Sequence, residues 1–100
     1  MTPPPGLVSA PEADRDVEEA FAWYEQVRAK LGIEFLTELR EAYRRILANP
    51  DSYQLLSSGI RRALLRRFPY AVFFVIRSED ILILAVLHVA RDPRRWQERA

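Results

Sequence analysis

IRRALLRRFPYAVFFVIRSEDILILAVLHVARDPRRW, residues 60–96, holds the longest apolar runs of the chain, most of its paired arginines, its single histidine and one of its two tryptophans. Segments 60–68, 70–77 and 81–91 are rich in Val, Ile, Leu and Phe, the composition of strands. Pro69 breaks the first from the second, and Ser78, Glu79 and Asp80 form a tight hairpin link between the second and third. The second and third segments are apolar at nearly every position. A sheet with one face in water would alternate, so both faces are expected to be covered.

The cover for one face lies upstream. Ser9 and Glu12 have the spacing of a capping box, with Pro11 in the first turn, where its missing N–H does no harm. Val17, Ala20, Phe21, Tyr24, Val27 and Leu31 then recur at helical steps, and Gly32 is expected to end that helix. A second stripe, Phe35, Leu36, Leu39, Tyr43, Ile46 and Leu47, runs to the Asn49-Pro50 stop. So short a link forces the two helices antiparallel. Residues 51–59 read as loop, Leu7 and Val8 as a short edge strand, and residues 94–99 as a final helical turn. The expectation is an α+β fold: an N-terminal antiparallel helical hairpin packed on a three- to four-stranded antiparallel sheet. One domain over residues 1–100 is expected, with residues 1–6 a loosely ordered lead.

Composition narrows the function classes. The net charge is +1, too weak a field to announce a nucleic-acid binder, but residues 61–99 carry nine arginines against four acids while residues 12–25 are acid-rich. That split favours an anionic partner at the C-terminal end. Lys30 is the single lysine, so the cations are almost all arginine, suited to bidentate contacts with carboxylate or phosphate. Without cysteine there is no disulfide or thiolate metal site. No signal peptide or membrane-length apolar run is evident, and a cytoplasmic location is expected. Nothing in the pattern asks for a metal or a small-molecule cofactor.

Two sets of residues carry possible chemistry. His88 titrates nearest neutrality and would be the default general acid or base, with Arg66, Arg77 and Arg91 available to stabilise charge on a phosphate. The competing reading has His88 bond backbone and fix the turn to Asp92-Pro93, and it is preferred because acid–base work demands a geometry that spacing does not supply. Arg61, Arg62, Arg66 and Arg67 form two adjacent pairs. On a strand each pair sends one side chain to each face, one toward a target and one toward the acidic helices. With Arg91, Arg94, Arg95 and Trp96 they form a candidate target-binding rim. Asp14, Asp16, Glu18 and Glu19 read as a solvated helix face, and Trp23 as packing on the flank of the hairpin.

Several of these residues, taken in order, resemble the ParE/RelE superfamily of toxins. They are Ala13, Asp16, Val17, Ala20, Trp23 and Tyr24; Leu31-Gly32 with Phe35-Leu36; Asn49-Pro50; Arg61-Arg62, Leu64-Leu65 and Arg67-Phe68-Pro69-Tyr70; and His88, Arg91, Asp92, Pro93 and Trp96. The resemblance implies the toxin of a type II toxin–antitoxin system, neutralised in a hetero-oligomer by a cognate ParD-like, ribbon–helix–helix antitoxin. Such antitoxins wrap an extended or helical segment around the toxin. Ile60, Leu64, Leu65 and Trp23 are the residues expected to receive it. ParE-like members poison DNA gyrase, whereas RelE-like members cut messenger RNA on the ribosome. RelE-like members resemble one another in a lysine-rich active face and often a late tyrosine; with Lys30 the single lysine and no tyrosine after Tyr70, this sequence stands nearer ParE. Phe74 stands where that family often has tyrosine, and Ala90 where a basic residue often precedes Arg91.

Overall fold

A computed structural model describes residues 3–99. Strand β1 (Leu7–Ser9) leads into α1 (Pro11–Val27) and α2 (Leu31–Ala48), and a short 3-10 turn follows at Pro50–Ser52. The chain then forms β2 (Gln54–Leu55), β3 (Arg61–Leu64), β4 (Tyr70–Ile76), β5 (Ile81–His88) and α3 (Arg94–Gln97). The strands make one sheet in the order β1-β5-β4-β3-β2. The expected helical hairpin and antiparallel meander are present, but the sheet has five strands and is mixed. β1 pairs with β5 in parallel, Leu7 opposite Ile81. β2 emerges from the stretch read as loop, through Gln54 opposite Arg62 and Leu55 opposite Arg61. Two paired residues leave no periodicity to detect, which is why β2 was illegible.

The central pair β4–β5 is apolar on both sides, and both sides are covered. One side packs against the hairpin around Phe35, Leu39, Tyr43, Ile46, Val72, Phe74 and Ile83, all essentially without solvent contact. On the other side Ile60, Ala71, Phe73, Leu84, Ala85 and Leu87 form a second cluster, with Leu56 and Trp96 packed onto it. This second face is therefore roofed in part by the chain's own C-terminal tail. A bulge between Phe73 and Phe74 makes Leu84 the extra residue of β5, since Phe73 faces Ala85 while Phe74 faces Ile83.

The ends of α1 differ from expectation. Ala10 is the N-cap, with no side-chain cap, and Ser9 lies in β1, so the capping box does not form. The backbone is held by the sheet instead, through the Ala10 N–H to the Ile83 carbonyl. At the other end α1 stops at Val27, and Lys30 makes the turn in the left-handed region at φ 71°. Val27 at this end is exposed rather than part of the core stripe. The N-terminus of α2 is capped from α1: Glu25 accepts the N–H groups of Lys30, Gly32 and Ile33. These are orphan donors of a first helical turn, and a carboxylate also suits the positive end of the dipole. Gly32 sits inside α2, not at the end of α1. A Cβ there would lie 2.7 Å from the Phe21 carbonyl oxygen and 2.8 Å from the Glu25 Cγ. Its role is close helix approach rather than a left-handed cap.

Strand ends are set by hydrogen bonds that close the turns. The Leu65 N–H donates to Tyr70 O, and β3 stops at Leu64, short of the Phe68 end expected for that strand. The Arg77 N–H donates to Asp80 O across the expected hairpin link. Met1 and Thr2, part of the lead read as loose, lie outside the described residues. Pro4 and Gly6 in the same lead accept from Leu7 and Ile81. The β3–β4 turn is tied to α2 by Glu38, which accepts the Arg67 N–H, and by Glu34, which pairs with the Arg67 guanidinium at 2.8 Å and with Arg28 at 3.0 Å.

Gly32→Ala forces the helices apart at a backbone oxygen, and urea unfolding should register a loss of about 1–3 kcal/mol, the usual range for overpacking. A second expectation concerns acid. The hydrogen bonds from Arg67 and Arg28 hold the Glu34 carboxyl below its ordinary 4.5, and Arg77 holds Asp80 below its ordinary 3.8. Depressed carboxylates contribute stability above their unfolded pKa values and lose it as pH falls through the folded ones. Thermal melts should therefore hold level from neutrality and drop below those ordinary values. Glu34→Gln should make the acid limb shallower.

Candidate functional site

At one end of the sheet Tyr70 faces His88 across β4 and β5, and the Val89 N–H donates to Pro69 O. This register brings the turn carrying Arg66 and Arg67 to the same end as the tail carrying Arg91, Arg94 and Arg95. Between α1, this strand end and the tail lies a cavity of about 710 Å³. Its walls include Glu19, Trp23 and Tyr24 from α1, Tyr70 and His88 from the strands, and Arg91 and Arg95 from the tail. The rings form a connected set, Trp23 to Tyr24 at 5.1 Å, Tyr24 to Tyr70 at 6.0 Å and Tyr70 to His88 at 5.4 Å, all edge to face. Burial raises both tyrosine hydroxyls above their ordinary value, with the Arg91 charge drawing Tyr70 partly back. Both stay protonated at neutral pH, so neither is a base there.

His88 behaves as the backbone-bonding reading expects. Its Nδ1 accepts the Ala90 N–H at 3.0 Å, and its carbonyl accepts the Arg91 N–H. A neutral imidazole that accepts at Nδ1 carries its proton on Nε2, so the free nitrogen is a donor. The four residues considered for phosphate chemistry are not assembled. Arg77 pairs with Asp80 in the hairpin at the far end of β4, seven positions along from Tyr70, which faces His88, and so roughly 23 Å from it. Arg66 and Arg91 are on the His88 side.

The arginines divide by partner. Arg61 lies on the helix-facing side opposite Phe74, with its guanidinium on the Tyr53 and Asp51 carbonyls and beside the Asp51 carboxylate. Arg62 lies on the other side opposite Phe73 and donates to Gln54. The opposite-face reading of this pair therefore holds, although Arg61 finds backbone and Asp51 rather than the acidic first helix. Arg67 is spent on Glu34 and sits over the Phe68 ring, and Arg94 is spent on Asp92. Among the described residues, Arg66, Arg91 and Arg95 make no ion pair and are exposed.

The tail that carries Arg91 and Arg95 is anchored twice. Trp96 stacks on Phe73 with ring centroids 5.0 Å apart and planes 12° from parallel. Arg99 reaches Asp16 on α1 through both terminal nitrogens, at 2.5 and 3.2 Å, and also donates to the Leu84 carbonyl. Asp16 is only 7% exposed and accepts the Val86 N–H as well. The reading of Asp16 as part of a solvated face is thus corrected, while Asp14, Glu18 and Glu19 do face solvent. Removing one partner of such a buried pair costs about 3–5 kcal/mol, because it strands a charge. Sequence reasoning missed the pair because the residues are 83 positions apart. The only local signal was an aspartate among the buried positions Ala13 and Ala20.

The residues expected to receive an antitoxin are placed unevenly. Ile60 is fully buried in the second cluster and Leu65 is 7% exposed, so neither offers side-chain surface. Leu64 at 55% and Trp23 at 59% do. Among the described residues no group of His, Asp or Glu stands close enough to hold a metal ion, and no helix is long and apolar enough to cross a membrane.

Comparison with known proteins bears on this arrangement. A family model described as "ParE toxin of type II toxin-antitoxin system, parDE" matches residues 7–93. A solved structure titled "Chromosomal ParDE TA system from P. aeruginosa" is similar, with a TM-score of 0.74 at 18% identity, covering 83% of this chain and 94% of that one. At that identity the likeness concerns the fold. The curated proteins contain no match. The family match runs from β1 through the first turn of the tail, and by it the chain belongs to the ParE toxin family of type II toxin–antitoxin systems.

Proposed function

We propose that this ParE-family chain acts in the cytoplasm by binding and inhibiting DNA gyrase, and that a cognate ParD-like, ribbon–helix–helix antitoxin neutralises it. The observation that carries the reading is the set of arginines without an ion pair among the described residues, Arg66, Arg91 and Arg95, displayed at one end of the sheet beside a His88 whose Nδ1 is bonded to backbone. Unpaired, exposed guanidinium groups favour an acidic or phosphate-bearing macromolecular surface. The alternative, a ribosome-dependent endoribonuclease, needs a proton acceptor and charge stabilisers converging on one phosphate. The distance of Arg77 and the Nδ1 engagement of His88 weigh against it. Trp23 and Leu64, large apolar side chains left in water, are where the antitoxin is expected to dock, in an interface of standard size or larger.

Purified toxin should block DNA supercoiling by gyrase and leave messenger RNA intact in a translation extract. Codon-phased cleavage with supercoiling untouched would overturn the proposal. Replacing Arg91 and Arg95 by glutamate should weaken inhibition and flatten its salt dependence, whereas His88→Ala should leave inhibition in place. Trp23→Ala and Leu64→Ala should each loosen the antitoxin complex in a titration while the isolated toxin still inhibits gyrase.

A further inference from the structure

The Asp16–Arg99 pair is engaged with itself and with backbone, and it occupies a place the rest of the fold leaves open. β1 covers the edge of β5 only at Ile81, Leu82 and Ile83. Beyond that, the Leu84 carbonyl and the Val86 N–H meet no strand on this edge among the described residues, and side chains meet them: Arg99 donates to the first and Asp16 accepts from the second. A guanidinium from the tail and a carboxylate from α1 thus finish the edge in place of a strand, and they also bond each other. Between His88 and Arg99 the tail contains a single helical element of four residues, Arg94–Gln97. So short a helix has no stability of its own. Its position rests on the turn at His88, on Trp96 against Phe73, and on Arg99.

We infer that Asp16 and Arg99 are positioning residues: their ion pair latches the tail along the open edge of β5, and so holds Arg91 and Arg95 at the cavity in the arrangement a target would meet. The inference rests on the gyrase-binding reading for its effect on activity, but the latch itself is a property of the isolated chain. Asp16 lies on the cavity wall together with Arg91 and Arg95, so release of Arg99 alters the wall from two sides at once.

The test compares Arg99→Gln, Asp16→Asn and the double variant with the parent protein. Trp23→Phe in a parallel set leaves Trp96 as the only tryptophan. Arg99→Gln should shift Trp96 emission to the red as the ring leaves Phe73, speed tryptic cleavage at Arg94 and Arg95, lower the melting temperature, and weaken gyrase inhibition on the order of tenfold. The double variant removes both charges, while the asparagine amide oxygen on α1 remains an acceptor for the Val86 N–H. Its melting temperature should recover, while Trp96 emission, tryptic cleavage and inhibition should remain altered. Recovery of inhibition along with the melting temperature would reduce the pair to a structural contact and overturn the inference. So would an Arg99→Gln tail whose Trp96 emission and cleavage match the parent. If the parent itself spares gyrase, the target reading fails, and emission and cleavage still decide the latch.

Discussion

β4 and β5 are apolar on both sides, and that condition governs how the rest of the chain is laid out. Phe73 and Phe74, adjacent in sequence, project to opposite faces, and each must be taken out of water by something. The hairpin takes Phe74, packing Tyr43, Ile46 and their neighbours beneath it. Phe73 is taken by Trp96, which arrives from a part of the chain with almost no apolar residues of its own. The tail is therefore held on the sheet by one aromatic stack and one ion pair, with charged side chains in between. Because the tail must lie there to roof the sheet, its remaining arginines are delivered to a fixed place. Covering the core and displaying charge are done by the same segment.

Electrostatics then sorts cations that look alike in sequence. Fourteen arginines against one lysine give little guidance on which is free, since a run such as Arg66-Arg67 offers two identical side chains. The fold separates them by what lies within reach. Arg67 falls beside Glu34 and Glu38 of α2, and Arg66 does not. Arg94 turns back on Asp92, and Arg95 lines the cavity. The group left over at one end of the sheet is defined by exclusion from these pairs.

Much of the architecture was legible because it is written in local periodicity. The α2 stripe of Phe35, Leu39, Tyr43 and Ile46, the Asn49-Pro50 stop and the Ser78–Asp80 turn can each be read from short consecutive stretches. What escaped is non-local. Gly32 looked like a helix terminator and is instead a point where two helices touch. Glu25, seven residues before the N–H it bonds best, gave no capping signal because the usual box spans three. Ser9 and Glu12 had the right spacing, but the backbone beside them was claimed by the sheet. Asp16 matched the family pattern without disclosing that it is buried. The candidate site was legible in residue types rather than in grouping: the sequence named Arg66, Arg77, His88 and Arg91 together, and strand register separates Arg77 from the others.

The parallel pairing of β1 with β5 carries a consequence for how the molecule comes into being. β1 is made well before the strand it pairs with, and the Asp16 carboxylate waits for a Val86 amide 70 positions on and for an Arg99 guanidinium 83 positions on. Contacts so distant in sequence are slow to form and cannot form before their later partner has been added. During synthesis the hairpin can assemble early, but its sheet-facing side has nothing to lie on, and the β5 edge stays open until residue 99 has been added. Order of translation therefore matters to the core: until β5 and the tail have emerged, the apolar faces of the strands already made stay unroofed.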